Sequence, residues 1–194
     1  VYAYMKHFAL NDQEGNRNCM VATWSNEQAI REIYLKPFEM AVKDADCHAV
    51  MSSFNYIGNR WAGGCSELLQ NVLRGEWGFL GFVETDYFGV YGYMTADQAV
   101  RNGGDLMLCT TGNDYNNVTV LTNSSKQAMR TSAKNILYTV VNSRAYEAEN
   151  LNPGMAKWKV ILIGADVVAA LLIVGLEYTA IKNYKKRKEE EEEV

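Results

Sequence analysis

The chain has 194 residues, 48% of them hydrophobic, which suits one ordinary domain with its own core and excludes a disordered chain. A net charge of −4 gives no broad basic surface for nucleic acid. The four cysteines, Cys19, Cys47, Cys65 and Cys109, form no C-x-x-C pair and have only His7 and His48 to help them, so free buried thiols are expected rather than zinc. No cofactor is expected.

Residues 2–8 read as a first strand, Tyr2-Ala3-Tyr4-Met5 running into Lys6-His7-Phe8. Residues 9–23 are too polar for regular structure. Ser25-x-x-Gln28 has the spacing of a capping box and opens a helix striped with Ile30, Ile33, Tyr34, Phe38 and Ala41, kinked at Pro37. A second strand over 49–53 leads into Phe54-Asn55, then a glycine-rich loop over 58–64 and a short amphipathic helix carrying Leu68, Leu69, Val72 and Leu73. The third strand, from Gly81, is an apolar run that stops at Glu84-Thr85-Asp86-Tyr87. Thr95-x-x-Gln98 starts a helix that Gly103-Gly104 ends, and Asp105 heads a fourth strand, Asp105-Leu106-Met107-Leu108. After Ser124-Ser125 a long helix places Ala128, Met129, Ser132, Ala133, Ile136, Leu137, Val140 and Val141 at helical spacing.

Strand and helix thus alternate four times, which predicts an α/β fold with a parallel sheet and helices outside it. Four such units make half of a TIM-type (β/α)8 barrel. In that arrangement Lys6, His7, Asn55 and Asp86 converge at the carboxyl ends of the strands, where barrel chemistry takes place.

The expected domain boundaries are a partial barrel over 1–147, a linker over 148–157 around Pro153, a transmembrane helix over 158–181 and a charged tail over 182–194. A bilayer span needs roughly 20 residues, and the charge-free run from Val167 to Leu176 offsets Asp166 and Glu177. Lys182, Lys185, Lys186, Arg187 and Lys188 mark the following end as cytoplasmic, so the chain is expected in the cell membrane, single-pass, with the barrel outside. The chain opens at Val1 directly in a strand, and sequence upstream of it is expected.

The strings KHFALNDQEGNR, SNEQAIREIYLKPFEMAVKDA, AVMSSFNYIGNRWAGG, LLQNVLRGEWGFLGFVETDY and RNGGDLML, in this order and spacing, resemble the later part of the barrel domain of glycoside hydrolase family 3, the β-glucosidase-like enzymes. The resemblance covers roughly residues 1–146. It implies that Asp86 is the catalytic nucleophile, that Lys6, His7 and Arg17 hold sugar hydroxyls, and that Phe54 stands where many members carry tyrosine. Tyr87 and Trp61 are candidates to offer apolar faces to a pyranose, packing being the commoner role of any single aromatic, whereas Glu14 and Asp105 are expected to be structural partners.

A retaining glycosidase needs two carboxyl groups about 5 to 5.5 Å apart, one to attack and one to protonate the leaving oxygen. The resemblance implies that the acid/base residue lies in a second domain outside this chain, along with an upstream half-barrel. The expected function is therefore part of a retaining exo-acting β-glycosidase acting on a β-linked glucoside or oligosaccharide, inactive as a fragment. The alternative is a non-catalytic, membrane-anchored carbohydrate-binding or cell-surface module that kept the fold.

Overall fold

The computed structural model describes residues 3–89, 91–110, 114–147, 151 and 154–192. Two compact units divide the chain, Val1–Tyr146 and Glu147–Val194.

In the first unit the strands are β1 (Met5–Phe8), β2 (Ala22–Thr23), β3 (Ala49–Ser52), β4 (Tyr56–Ile57), β5 (Arg60–Trp61) and β6 (Phe82–Thr85). A parallel sheet runs in the order β1-β3-β6, with Val50 opposite Val83 and Ser52 opposite Thr85. Val50 and Val83 are wholly buried and join a core of Phe8, Leu69, Leu73 and Trp77, so one face of the sheet is sealed by its helices. Gly81 leads into β6 so close to the His48 carbonyl that a Cβ would lie 1.9 Å from the oxygen; no other residue fits.

The predicted fourth strand is reduced to a single parallel bridge, Glu84 to Leu106. Two features interrupt its ladder. The Asp105 and Leu106 N–H groups both donate to the Val83 carbonyl, and the Leu108 N–H is taken by the Thr85 hydroxyl at 3.1 Å. The polar stretch before Trp24 also hides order: β2 pairs parallel with β4, which pairs antiparallel with β5. Two-residue strands are too short to show a period in the sequence.

Helix α1 (Glu27–Ala29) is capped by Asn26, whose side chain accepts from the Ala29 N–H at 2.8 Å, one residue later than the Ser25 cap expected. It passes into a π-helical segment, Ile30–Tyr34, closed by a bond from Leu35 N to Ile30 O of 2.8 Å. Pro37 then sits in the first turn of α2 (Lys36–Lys43), where its missing N–H costs nothing, so the expected kink takes the form of a widened turn followed by a fresh helix start.

A second π-helical segment, Glu67–Glu76, buries Leu68, Leu69 and Leu73. Thr95 caps α3 (Ala96–Arg101) as expected, and Gly103, at φ +106°, lets the Gly104 N–H return to Ala99 O at 2.8 Å and end it. The long α4 (Asn123–Val141) starts at a capping box of Thr122 with Ser125.

Asp105 staples these elements together. Its Oδ2 accepts from Arg74 Nη2 at 2.7 Å and from the Val83 N–H at 2.8 Å, and its Oδ1 accepts from Asn135 Nδ2 of α4 at 3.0 Å. Burial pushes the Asp105 carboxyl up and the Arg74 guanidinium down, each against the pull of its partner. Desolvation outweighs attraction here, so the pair fixes which helix meets which strand more than it adds net stability.

Of the cysteines only Cys65 is buried; all four are free thiols, but Cys19 and Cys109 are exposed because they fall in turns and at the frayed edge of the sheet. That corrects the expectation of buried thiols. Most of the described part of the second unit is the helix α5 (Lys157–Glu192), long and apolar enough over Lys157–Lys188 to cross a membrane. The charged segment expected as a separate tail continues this helix through Glu192, because lysine, arginine and glutamate are good helix formers. Residues 193–194, and the predicted linker at 148–150 and 152–153, lie outside the described residues.

Candidate active site

Asp86 follows β6 directly, and its N–H donates to the Ser52 carbonyl of β3 at 3.0 Å, so the parallel pairing extends one residue past the strand and fixes the carboxylate at the sheet's carboxyl end. Three groups surround that carboxylate. The Tyr87 N–H donates to Oδ1 at 2.7 Å, Arg17 Nη1 donates to Oδ2 at 3.2 Å, and His7 Nε2 lies 3.2 Å from the same Oδ2.

His7 comes from β1 and Arg17 from the loop after it; the Lys6–His7 and Phe8–Ala9 peptide bonds are cis. Burial is the main cause that lowers the proton affinity of His7, and the charges of Lys6 and Arg17 add to it, while Asp86 and Glu14 pull the other way. The net direction is down, which leaves the imidazole neutral at neutral pH.

The loop is held by its own side chains. Asn11 Nδ2 stands 3.4 Å from His7 Nδ1 and donates to Glu14 Oε1 at 3.0 Å, and Glu14 Oε2 is 3.0 Å from Arg17 Nε. Residues 7, 11, 14 and 17 therefore form a closed circuit through Asp86. The guanidinium also stacks on Phe54, its carbon 5.0 Å from the ring centroid.

The profile of the glycosyl hydrolase family 3 N-terminal domain matches residues 1–137, more than half of the sequence. The chain belongs to glycoside hydrolase family 3. Beta-glucosidase B of Emericella nidulans is 45% identical over 106 residues, which are 55% of this chain and 12% of that protein. Probable beta-glucosidase K of the same organism is 41% identical over 106 residues, again 12% of its length, so the chain spans a small part of the curated relatives it matches. Among solved structures, beta-glucosidase 3B from Thermotoga neapolitana, in complex with glucose, superposes on 77% of this chain and 22% of its own at a TM-score of 0.63 and 31% identity. The selenomethionine-labelled beta-glucosidase from Kluyveromyces marxianus gives 0.61 and 30%, over 73% and 18%.

Set in this family 3 framework, the predicted site residues divide. Asp86, His7 and Arg17 meet, and Lys6 is exposed beside His7, near enough for its charge to act there. Tyr87 is 41% exposed next to the carboxylate, its hydroxyl 3.1 Å from Thr110 Oγ1. Phe54 is buried, serving as a platform for Arg17 with Tyr91 edge-on at 5.5 Å.

Two expectations fail. Asn55 does not join the convergence: it is buried, with its Nδ2 turned to the Ala9 carbonyl at 3.2 Å and Thr23 Oγ1 at 2.8 Å, satisfying the backbone where β1 leaves the sheet. Trp61 cannot offer a face to a sugar, because it is 0% exposed, bonded through Nε1 to Ser53 O at 3.0 Å and packed on Phe88. Asp105 and Glu14 are structural partners of arginines, as expected. Sequence reasoning missed Asn11. Its signal was the spacing from His7 to Asn11 to Glu14 to Arg17, concealed in a loop whose polarity looked like mere solvation.

Proposed function

We propose that this chain is the nucleophile-bearing part of a retaining, exo-acting β-glycosidase of the β-glucosidase type. The observation that carries the reading is the carboxylate of Asp86 at the end of β6, with Arg17 Nη1 and His7 Nε2 each 3.2 Å from its Oδ2. Asp86 attacks the anomeric carbon of a β-linked glucoside as the glycosidic C–O bond breaks and the general acid protonates the leaving oxygen; water, deprotonated by that same residue, then displaces Asp86 from the glycosyl-enzyme intermediate. Lys6, His7 and Arg17 donate hydrogen bonds to sugar hydroxyls, Tyr87 offers its half-exposed ring to the pyranose, and Phe54 shapes the subsite through the guanidinium stacked on it. Arginine suits this place because its planar fork serves the carboxylate and a hydroxyl together.

The general acid comes from outside these residues. Glu14, the carboxylate that shares Arg17 with Asp86, is committed to Arg17 and Asn11. In this reading residues 1–147 form the C-terminal half of a (β/α)8 barrel, completed by an upstream half-barrel and a second domain of the same parent protein, and the fragment alone is inactive. Residues 158–181 cross the cell membrane once, with residues 182–194 in the cytoplasm and the barrel outside.

A mechanism-based 2-deoxy-2-fluoro-β-glucoside tests this on the parent protein. Mass spectrometry of the inactivated protein should find the sugar on the peptide containing Asp86; a label on another carboxylate, with turnover intact, contradicts the assignment.

A further inference from the structure

Two residues without a contact to Asp86 bear on which nitrogen of His7 carries its proton. A neutral imidazole carries one proton, and the ring nitrogen that carries it is set by the bond the other nitrogen makes. His7 Nδ1 meets Asn11 Nδ2 at 3.4 Å. An amide nitrogen only donates, so Nδ1 must be the acceptor and the proton sits on Nε2, pointing at Asp86 Oδ2 3.2 Å away.

Asn11 could present its oxygen instead, which would reverse the tautomer and set the Nε2 lone pair against the carboxylate. Glu14 prevents that. Its Oε1 takes the other hydrogen of Asn11 Nδ2 at 3.0 Å, and a carboxylate accepts only, so a flipped amide would set oxygen against oxygen. The remaining amide atom, Asn11 Oδ1, is buried with no partner among the described residues, so Glu14 alone orients the amide. The other oxygen of Glu14 holds Arg17 Nε at 3.0 Å, and Arg17 returns to Asp86.

We propose that Glu14 and Asn11 are positioning residues that fix the Nε2–H tautomer of His7 and the orientation of Arg17, and so aim two donors at Asp86 and at the sugar hydroxyls bound beside it. Glu14 is largely exposed, so its part is directional rather than stabilising. The proposal rests on the site reading above, but a tautomer is observable without substrate, so a chain that hydrolyses nothing can still pass or fail this test.

The experiment is a long-range proton–nitrogen correlation spectrum of the full chain, labelled with nitrogen-15 at its two histidines and held in detergent micelles at about pH 9, where an imidazole is neutral. His48 reports in the same spectrum whether the sheet is folded. Wild-type His7 should show its proton on Nε2. Asn11→Asp, which sets a carboxylate against Nδ1 as well as Nε2, should place a proton on Nδ1, as the Nδ1–H tautomer or the doubly protonated ring. Glu14→Gln keeps an acceptor oxygen and should preserve the wild-type pattern, whereas Glu14→Leu should give a mixture of both tautomers. A wild-type His7 protonated on Nδ1 overturns the proposal, as does Asn11→Asp with an unchanged His7 pattern. If Asn11→Asp also disturbs His48, the Glu14 pair decides: a His7 pattern identical in Glu14→Leu and Glu14→Gln overturns it.

Discussion

Two aspartates in this chain each face an arginine, one at either end of the third strand of the sheet, and they do opposite work. Asp105, beside the start of β6, has a side chain 1% exposed, against 17% for Arg74, and its partners are a strand N–H and a helix side chain. Asp86, just past the end of β6, is 11% exposed against 30% for Arg17, and its partners are side chains of a loop that solvent reaches. The same residue pair is a staple where rigid elements enclose it and, in the proposed function, a nucleophile with its donor where a loop presents it. Burial, not pairing, separates the two.

The largest effect expected from breaking this comparison is at the buried end. Asp105→Ala leaves the Arg74 charge without its carboxylate and should cost about 3 to 5 kcal/mol in thermal or chemical unfolding. Asn135→Ala, which leaves Asp105 Oδ1 without its donor, should cost about 1 to 3 kcal/mol by the same measurement. At the other end Asp86→Asn should change stability by less than about 1 kcal/mol, since its arginine is partly solvated, while reducing turnover of the parent protein on the order of 10⁴-fold. If Asp86→Asn destabilises as much as Asp105→Ala, the two ends are not different in kind.

The smallest effect is a slope with pH. Folded His7 holds its proton less tightly than an unfolded imidazole of pKa 6.5, so between its lowered value and 6.5 the unfolded chain binds more protons. Stability therefore rises with pH through that window and falls on acidification. Denaturant midpoints between about pH 5 and 7.5 should show this slope in wild type and less of it in His7→Gln.

The end that carries Asp86 was the more legible of the two in the sequence, and for a physical reason. A carboxylate where an apolar run stops can be read directly, and the lysine, histidine and arginine follow at fixed distances in an unbroken stretch of chain. The three parallel strands were legible for the same reason, each being a short apolar run between turn residues. The fourth was not, because the Thr85 hydroxyl takes the Leu108 N–H, and no local pattern announces such competition. The first cap slipped by one residue, to Asn26, and the long helix starts at Asn123, before the Ser124-Ser125 expected to precede it, since several adjacent side chains can each accept from the first turn and backbone geometry selects among them. Trp61 and Asn55 were misread because the sequence shows their type but not their depth; both are consumed by backbone carbonyls at the ends of the first sheet, Ser53 just past β3 and Ala9 just past β1. Asp105 was read correctly as a structural partner, though Arg74, 31 residues away, became its partner only through the fold.

The most direct test of the contrast between the two aspartates is chemical rescue. In the parent protein, Asp86→Gly should abolish cleavage of a chromogenic β-glucoside, and added azide should restore it by attacking the anomeric carbon from the emptied side, giving the glucosyl azide of inverted configuration. Asp105→Gly should lose activity only as far as it loses the fold, with no response to azide. Rescue of Asp105→Gly, or an Asp86→Gly protein that still hydrolyses the glucoside without azide, would contradict the assignment of Asp86 as nucleophile.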